Sequence, residues 1–334
     1  MYRHAFFVFV MVGITSSLFA QSDTLVIAFG SCNKTDADQS YWDLVAVHHP
    51  DIWLWLGDNI FADTNDARVM DSLYQVQYNN PYYRSFIRQV QVDGTWDDHD
   101  YGLNDGGKEW TFKDSSKQLF THFMRLDDRE DLRSHPGVYH ATDLQVDGEI
   151  VRILALDTRS FRDTLTPSPD PSKRYIPRPD GNMLGEAQWT WLQEQLADTT
   201  VSMFILLSSV QVIATEQGYE KWENLQASRT RLLDMIRTSS PEGIVILSGD
   251  RHIAEYSVIG GGLDYPLLDI TSSGLTHTWG QIQEEANQFR MGPLMIEKNF
   301  GILQLYRDDS GLGMRSTIYS AVDGRILMTY SCPF

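Results

Sequence analysis

Six short apolar runs punctuate the first three quarters of the chain: Leu25–Phe29, Asp51–Leu56, Gln91–Trp96, Val151–Leu156, Met203–Leu207 and Gly243–Leu247. Most are near-continuous rather than alternating, which is the pattern of a strand covered on both faces. Between them stand stretches with helical spacing: Ser40–His48, stopped by Pro50, then Thr111–Leu126, Gly185–Leu196 and Ser228–Arg237. Strands alternating with helices predict an α/β architecture. From Tyr256 to Met328 further strand-like segments, broken by Gly and Asp turns, predict a sheet that finishes the fold. Thr164–Asn182 holds five prolines and little apolar periodicity. It reads as a long irregular loop, either a cover over a site or a surface excursion.

The polar residues are informative because of where they fall. Gly30-Ser31-Cys32-Asn33, Gly57-Asp58-Asn59, Asp97-Asp98-His99-Asp100, Asp157-Thr158-Arg159 and Gly249-Asp250-Arg251-His252 each follow an apolar run at once. Ligands of α/β sheets bind beyond the carboxyl ends of the strands, so the five clusters are expected to converge on one edge. A single Asp after a strand is commonly a turn or a helix cap. Five clusters rich in Asp, His and Cys are a ligand set: carboxylates and imidazoles bind divalent or trivalent cations, and a thiolate adds a strong ligand for a transition metal. Glycines beside the ligands let backbone and substrate approach closely.

Composition adds boundaries. The 334 residues are 42% hydrophobic, ample for a packed core and unlike a disordered chain. The formal charge is −18, from 27 basic and 45 acidic side chains. Such a balance repels nucleic acid and anionic lipid at long range, and neither is expected as a partner. An enzyme acting on phosphate would then draw its local positive charge from bound metal ions. Residues 1–20, with Arg3, an apolar stretch to Phe19 and a small-residue end at Leu18-Phe19-Ala20, read as a secretory signal. This predicts an exported protein, periplasmic or secreted, with no stable membrane span after the signal is removed. The two cysteines, Cys32 and Cys332, lie at opposite ends of the chain and could pair only if the termini met.

The strings FGSC at 29–32, WLGDNIFAD at 55–63, WDDHDYGLND at 96–105, LDTRSFR at 156–162, SSVQ at 208–211 and SGDRHIAE at 248–255 resemble, in order, those of the alkaline phosphatase D (PhoD-like) family. That family is a branch of the calcineurin-like metallophosphoesterases. The resemblance implies a four-layer α/β/β/α sandwich of two mixed sheets flanked by helices, spanning 21–334 as one metallophosphatase domain. It also implies hydrolysis of phosphodiesters or phosphomonoesters by a metal-activated hydroxide, with iron and calcium as the family's metals. Position by position, Asp58 resembles the metal-bridging aspartate and Cys32 the thiolate ligand to iron. Asp98 stands where the superfamily has an Asn ligand, and Asp250 with His252 resembles the late ligand pair. His99 stands at the position of the proton donor to the leaving oxygen. Asn104 and His277 fall on the substrate side. Arg159 is assigned to orienting either phosphate or an aspartate, both suited to a planar guanidinium. One ion is provisionally given Cys32 and Asp250, the other Asp98 and His252.

One position departs from the family pattern. Phe61 stands where the family has a tyrosine ligand to iron. It is read as core packing, and zinc, manganese or calcium become alternatives to iron. Two other classes compete with the phosphoesterase. A binding protein that kept this fold and lost its chemistry is the alternative reading. A thiol or serine hydrolase using Cys32 would lack the Gly-x-Ser-x-Gly pattern. Trp189 and Trp191 are assigned to the core, and His48-His49 to a helix end.

Overall fold

The computed structural model describes residues 24–260, 262–281, 284–308 and 311–334, so the expected signal at 1–20 lies outside the described residues. The chain opens with β1 (Thr24–Gly30), α1 (Tyr41–Ala46), β2 (Ile52–Leu56), α2 (Ala67–Asn79), α3 (Pro81–Phe86), β3 (Gln91–Thr95) and the single turn α4 (Asp98–Tyr101). It continues through α5 (Lys113–Met124), α6 (Glu130–Ser134), β4 (His140–Val146), β5 (Glu149–Ala155) and the ribbon β6 (Thr166–Pro167) with β7 (Tyr175–Ile176). Then come α7 (Gly185–Leu196), β8 (Val201–Ser208), α8 (Gln226–Ser239) and β9 (Gly243–Ser248). Six strands close it: β10 (Ala254–Ile259), β11 (Leu267–Ser272), β12 (Arg290–Met295), β13 (Asn299–Asp308), β14 (Gly311–Ser320) and β15 (Ile326–Pro333).

These strands build two mixed sheets, ordered β15-β14-β13-β1-β2-β3 and β12-β10-β11-β9-β8-β5-β4. In the first, β1, β2 and β3 are parallel. In the second, β5, β8, β9 and β11 are parallel. The near-continuous apolar runs are explained by the layers. On β2, Ile52, Leu54 and Leu56 point between the sheets, while Trp53 and Trp55 point to the helices outside. On β8, Met203, Ile205 and Leu207 face the other sheet, and Phe204 and Leu206 face outward. Period-2 side chains that are apolar on both faces need cover on both. That cover comes from α1, α2, α3 and α5 over the first sheet and from α7 and α8 over the second. The result is the four-layer α/β/β/α sandwich that the resemblance implies.

The closing strands do not finish one sheet, as the sequence suggested. Strands β10–β12 extend the second sheet and β13–β15 the first. A buried polar pair ties the sheets at their other edges, where β3 and β4 are terminal: Asp93 accepts from His140 Nε2 at 2.7 Å and from the Thr142 hydroxyl at 2.6 Å. Cys32 and Cys332 are both free thiols. No helix among the described residues is long and apolar enough to cross a membrane.

Candidate metal centre at the strand ends

The clusters after β1, β2, β3 and β9 meet beyond the carboxyl ends of the parallel strands, and tight backbone approach makes this possible. A Cβ on Gly57, whose φ is +99°, would meet Asp97 Cβ at 2.4 Å. A Cβ on Gly249 would meet the Leu56 carbonyl at 2.6 Å and Ser31 Oγ at 2.7 Å, so the β9 loop can lie against the β1 and β2 loops only as glycine. The candidate ligands themselves are strained. Cys32 (φ 63°), Asp58 (φ 52°), Asp250 (φ 66°) and His252 (φ 54°) all have left-handed backbone, a conformation that non-glycine residues keep where surrounding structure imposes it, commonly at functional sites.

Three sets of donor atoms lie within 4.8 Å of one another: Cys32, Asp58 and His252; Asp58, Asp98 and His99; Asp97, Asp98 and Asp250. Asp58 and Asp98 are each shared by two sets, the position a bridging ligand occupies, and of the two only Asp58 is also grouped with Cys32 and His252. The grouping differs from the provisional partition. Cys32 belongs with His252, and Asp250 belongs with Asp97 and Asp98, because Asp250 and His252, two residues apart in left-handed backbone, serve different sets. The donors also suit a cation. Asp58 Oδ1 and Asp97 Oδ2 are buried without a hydrogen-bond partner among the described residues, a costly state that a bound ion relieves. The thiol of Cys32 donates to Asp58 Oδ2 at 3.4 Å.

His99 is bound through Nδ1 to Asp63 Oδ2 at 2.7 Å. Burial lowers its proton affinity, but Asp63 and the neighbouring Asp98 outweigh burial and raise it to about 9. Phe61 does not pack in the core. Its ring lies half-buried in the cleft, 4.0 Å from the His99 ring and 5.1 Å from that of His277. A phenyl ring has no donor atom to offer a cation, and Phe61 instead packs its ring against those of His99 and His277. His277 sits 4.3 Å from the His252 ring. Asn104 is exposed and donates to Asp105 Oδ2 at 2.8 Å, and the Asp105 amide donates to Asp98 Oδ2 at 2.7 Å. The proline-rich segment borders the site at this point: Arg174 and Tyr175 both hold Asp105 Oδ2, at 2.6 and 2.7 Å.

Of the two roles considered for Arg159, the structure supports the aspartate. The guanidinium is fully buried. Its Nε donates to Asp97 Oδ1 at 2.6 Å and its Nη1 to Glu220 Oε2 at 2.7 Å. Ser209 Oγ donates to the same Asp97 oxygen at 2.6 Å. Sequence reasoning did not assign Asp63, Asp97 or Glu220. Asp63 and Asp97 lie inside the quoted strings, Asp97 beside the assigned Asp98, whereas Glu220 stands in an irregular stretch with no local signal.

Crowding sets the electrostatics. Burial, then the charges of Asp98 and Asp97, push the Asp58 carboxyl well up, and burial with Asp97 and Asp98 does the same to Asp250. Burial raises Asp97 and Asp100 to about 7 each. Asp98 goes the other way: burial opposes ionisation, but Arg159 and His99 hold it at about 2. Carboxyls raised above the unfolded value of 3.8 bind protons more tightly in the folded chain, so stability falls as pH rises from that value through about 7. Asp98 contributes stability above 3.8 that is lost only as pH falls through about 2, outside this window. His252 and His277, held by burial at about 3 and about 4, add stability as pH rises only as far as their unfolded value of 6.5, so in chelator the melting temperature is expected to fall between about pH 6.5 and pH 8, and added divalent cation is expected to flatten the slope. A pH series of thermal melts reads this directly; a rising profile in chelator would contradict the crowded-carboxylate picture.

A two-sheet sandwich that gathers a thiol, imidazoles and carboxylates into overlapping donor sets at its parallel strand ends is a metallophosphoesterase-like fold with a candidate metal centre. The chain matches the PhoD-like phosphatase model over residues 27–260, and it belongs to that family. A solved structure described as that of PhoD superposes with a TM-score of 0.69 at 16% identity, over 92% of this chain and 72% of the other. TT1561 of Thermus thermophilus aligns over 92% of this chain and 98% of its own, at 8% identity and a TM-score of 0.41. No curated protein matches the chain. The likeness to the PhoD structure speaks for the fold, and family membership for phosphate ester hydrolysis in general.

Proposed function

We propose that this protein is an exported, metal-dependent phosphoesterase that hydrolyses phosphate diesters or monoesters in the cleft around Asp58. The observation that carries the reading is the sharing of Asp58 between two donor sets, with one of its oxygens buried and unpartnered among the described residues. Bound cations would supply Lewis acidity and a nucleophile usable near neutral pH. Cys32 and His252 would hold the softer ion, and Asp97, Asp98 and Asp250 the harder one, with Asp58, which is grouped with Cys32 and His252 and also with Asp98, between the two. His99, oriented by Asp63, gives its proton to the leaving oxygen, a contribution of roughly 10²–10⁴-fold. Arg159 acts through Asp97 and is a positioning residue. His277 and Asn104 stand on the substrate side. With Phe61 in the tyrosine position, zinc, manganese or calcium is favoured over a ferric tyrosinate site. Export rests on the pattern of residues 1–20.

The test is hydrolysis of a simple aryl phosphodiester and the matching monoester by the purified mature protein, before and after chelation, with single metals added back. Turnover that disappears with chelator and returns with one metal is expected, and it ranks diester against monoester. Metal binding without turnover on any ester would favour the binding-protein alternative. Turnover that survives chelation but is lost on thiol alkylation would favour a Cys32 hydrolase.

A further inference from the structure

Trp279 alone among the nine tryptophans is exposed, at 45% of its surface. It lies in the loop after β11, yet it is firmly held. Its amide donates to the His252 carbonyl at 3.1 Å. The indole stacks on the His252 ring at 5.3 Å and 19°, and on Tyr219 at 6.2 Å and 24°. Tyr219 is backed in turn by the Arg251 guanidinium, 4.5 Å from its ring, and both Glu285 oxygens grip Arg251 at 2.8 and 2.7 Å. A fixed indole with so much surface in water gains little for folding. It is what a stacking platform requires, since aromatic surface held in one orientation binds a flat ring without an ordering cost.

Its place in the cleft says which part of a substrate would lie on it. Trp279 packs on His252, whereas the proton donor His99 packs on Phe61 and Asp63. The leaving oxygen belongs at His99, so the group beside Trp279 is the ester substituent that stays on phosphorus. We propose that Trp279 is the platform of a substrate subsite that takes a flat ring on the non-leaving side of a phosphodiester. The proposal rests on the phosphoesterase reading above and narrows it to diesters bearing a planar group.

Two diesters with the same nitrophenolate leaving group separate the possibilities: bis-nitrophenyl phosphate, whose remaining substituent is a ring, and methyl nitrophenyl phosphate, whose remaining substituent is not. For the metal-loaded enzyme, Trp279→Ala is expected to lower kcat/KM on the first by about three- to tenfold, chiefly through KM, and to leave the second within about twofold. Trp279→Phe is expected to recover most of the loss. Equal losses on both substrates, or no loss on either, would overturn the platform and leave Trp279 as a support for His252. If the unaltered, metal-loaded protein turns over neither diester but hydrolyses nitrophenyl phosphate, the subsite falls and the phosphoesterase reading stands; no turnover of any of the three overturns both.

Discussion

Asp58→Asn is expected to reduce phosphodiester turnover by roughly 10³-fold or more, because a ligand shared between two donor sets acts as part of a unit whose loss is not partial. The same substitution is expected to raise the melting temperature of the chelated protein. The Asp58 carboxyl is buried among Asp98, Asp97, Asp100 and Asp250, and one of its oxygens has no partner among the described residues. Asparagine is nearly isosteric, tolerates the left-handed φ of 52° and removes the ionisable group. Opposite signs for activity and for metal-free stability identify a residue kept for chemistry. Steady-state kinetics in metal and melts in chelator provide the two readings. Full activity in the variant would remove Asp58 from the proposed centre.

The second large effect is at Arg159. Arg159→Ala leaves Asp97 buried without its cation and Glu220 with Arg162 alone, and loss of one partner from a buried ion network costs about 3–5 kcal/mol. It also withdraws a charge that holds Asp98 at about 2, so the expected result combines lower stability with weaker metal retention. Arg159→Lys restores charge but not the fork that spans Asp97 and Glu220, and is expected to recover only part of the loss. Chemical denaturation and metal titration of the two variants would show this. If Arg159→Ala were as stable as the parent, the network would not carry the role given to it here.

The strands were legible because β2 and β8 are apolar on both faces and a polar cluster follows each. The helices over the second sheet, α7 and α8, were legible from apolar residues at helical spacing, Trp189, Leu192 and Leu196 on one and Leu232 and Ile236 on the other. Helix α2 escaped notice because its buried face includes Gln77, which bonds to Asn33 and Gln39 in the core and interrupts the apolar spacing. Strand β4 was hidden likewise, since His140 and Thr142 turn inward to meet Asp93. In both cases a buried polar network replaces the hydrophobic signal. At the site, the family strings located every member of the donor sets except Asp97, whose neighbour Asp98 drew the assignment. Grouping into sets depends on which way each side chain leaves a left-handed turn, and spacing along the chain does not encode that. The place of Phe61 could not be read either: an aromatic residue after a strand is core in most folds, and only the positions of His99 and His277 turn it into a wall.

The left-handed turns at Cys32, Asp58, Asp250 and His252 also bear on how such a protein would age in evolution. Each costs of order 1–3 kcal/mol where the side chain is not glycine, so where selection acts on the fold alone, substitutions that relieve the strain are tolerated or stabilising. A lineage released from catalysis would drift toward glycine at these four places while both sheets stayed whole. Loss of function would thus be written first in the turns and last in the strands.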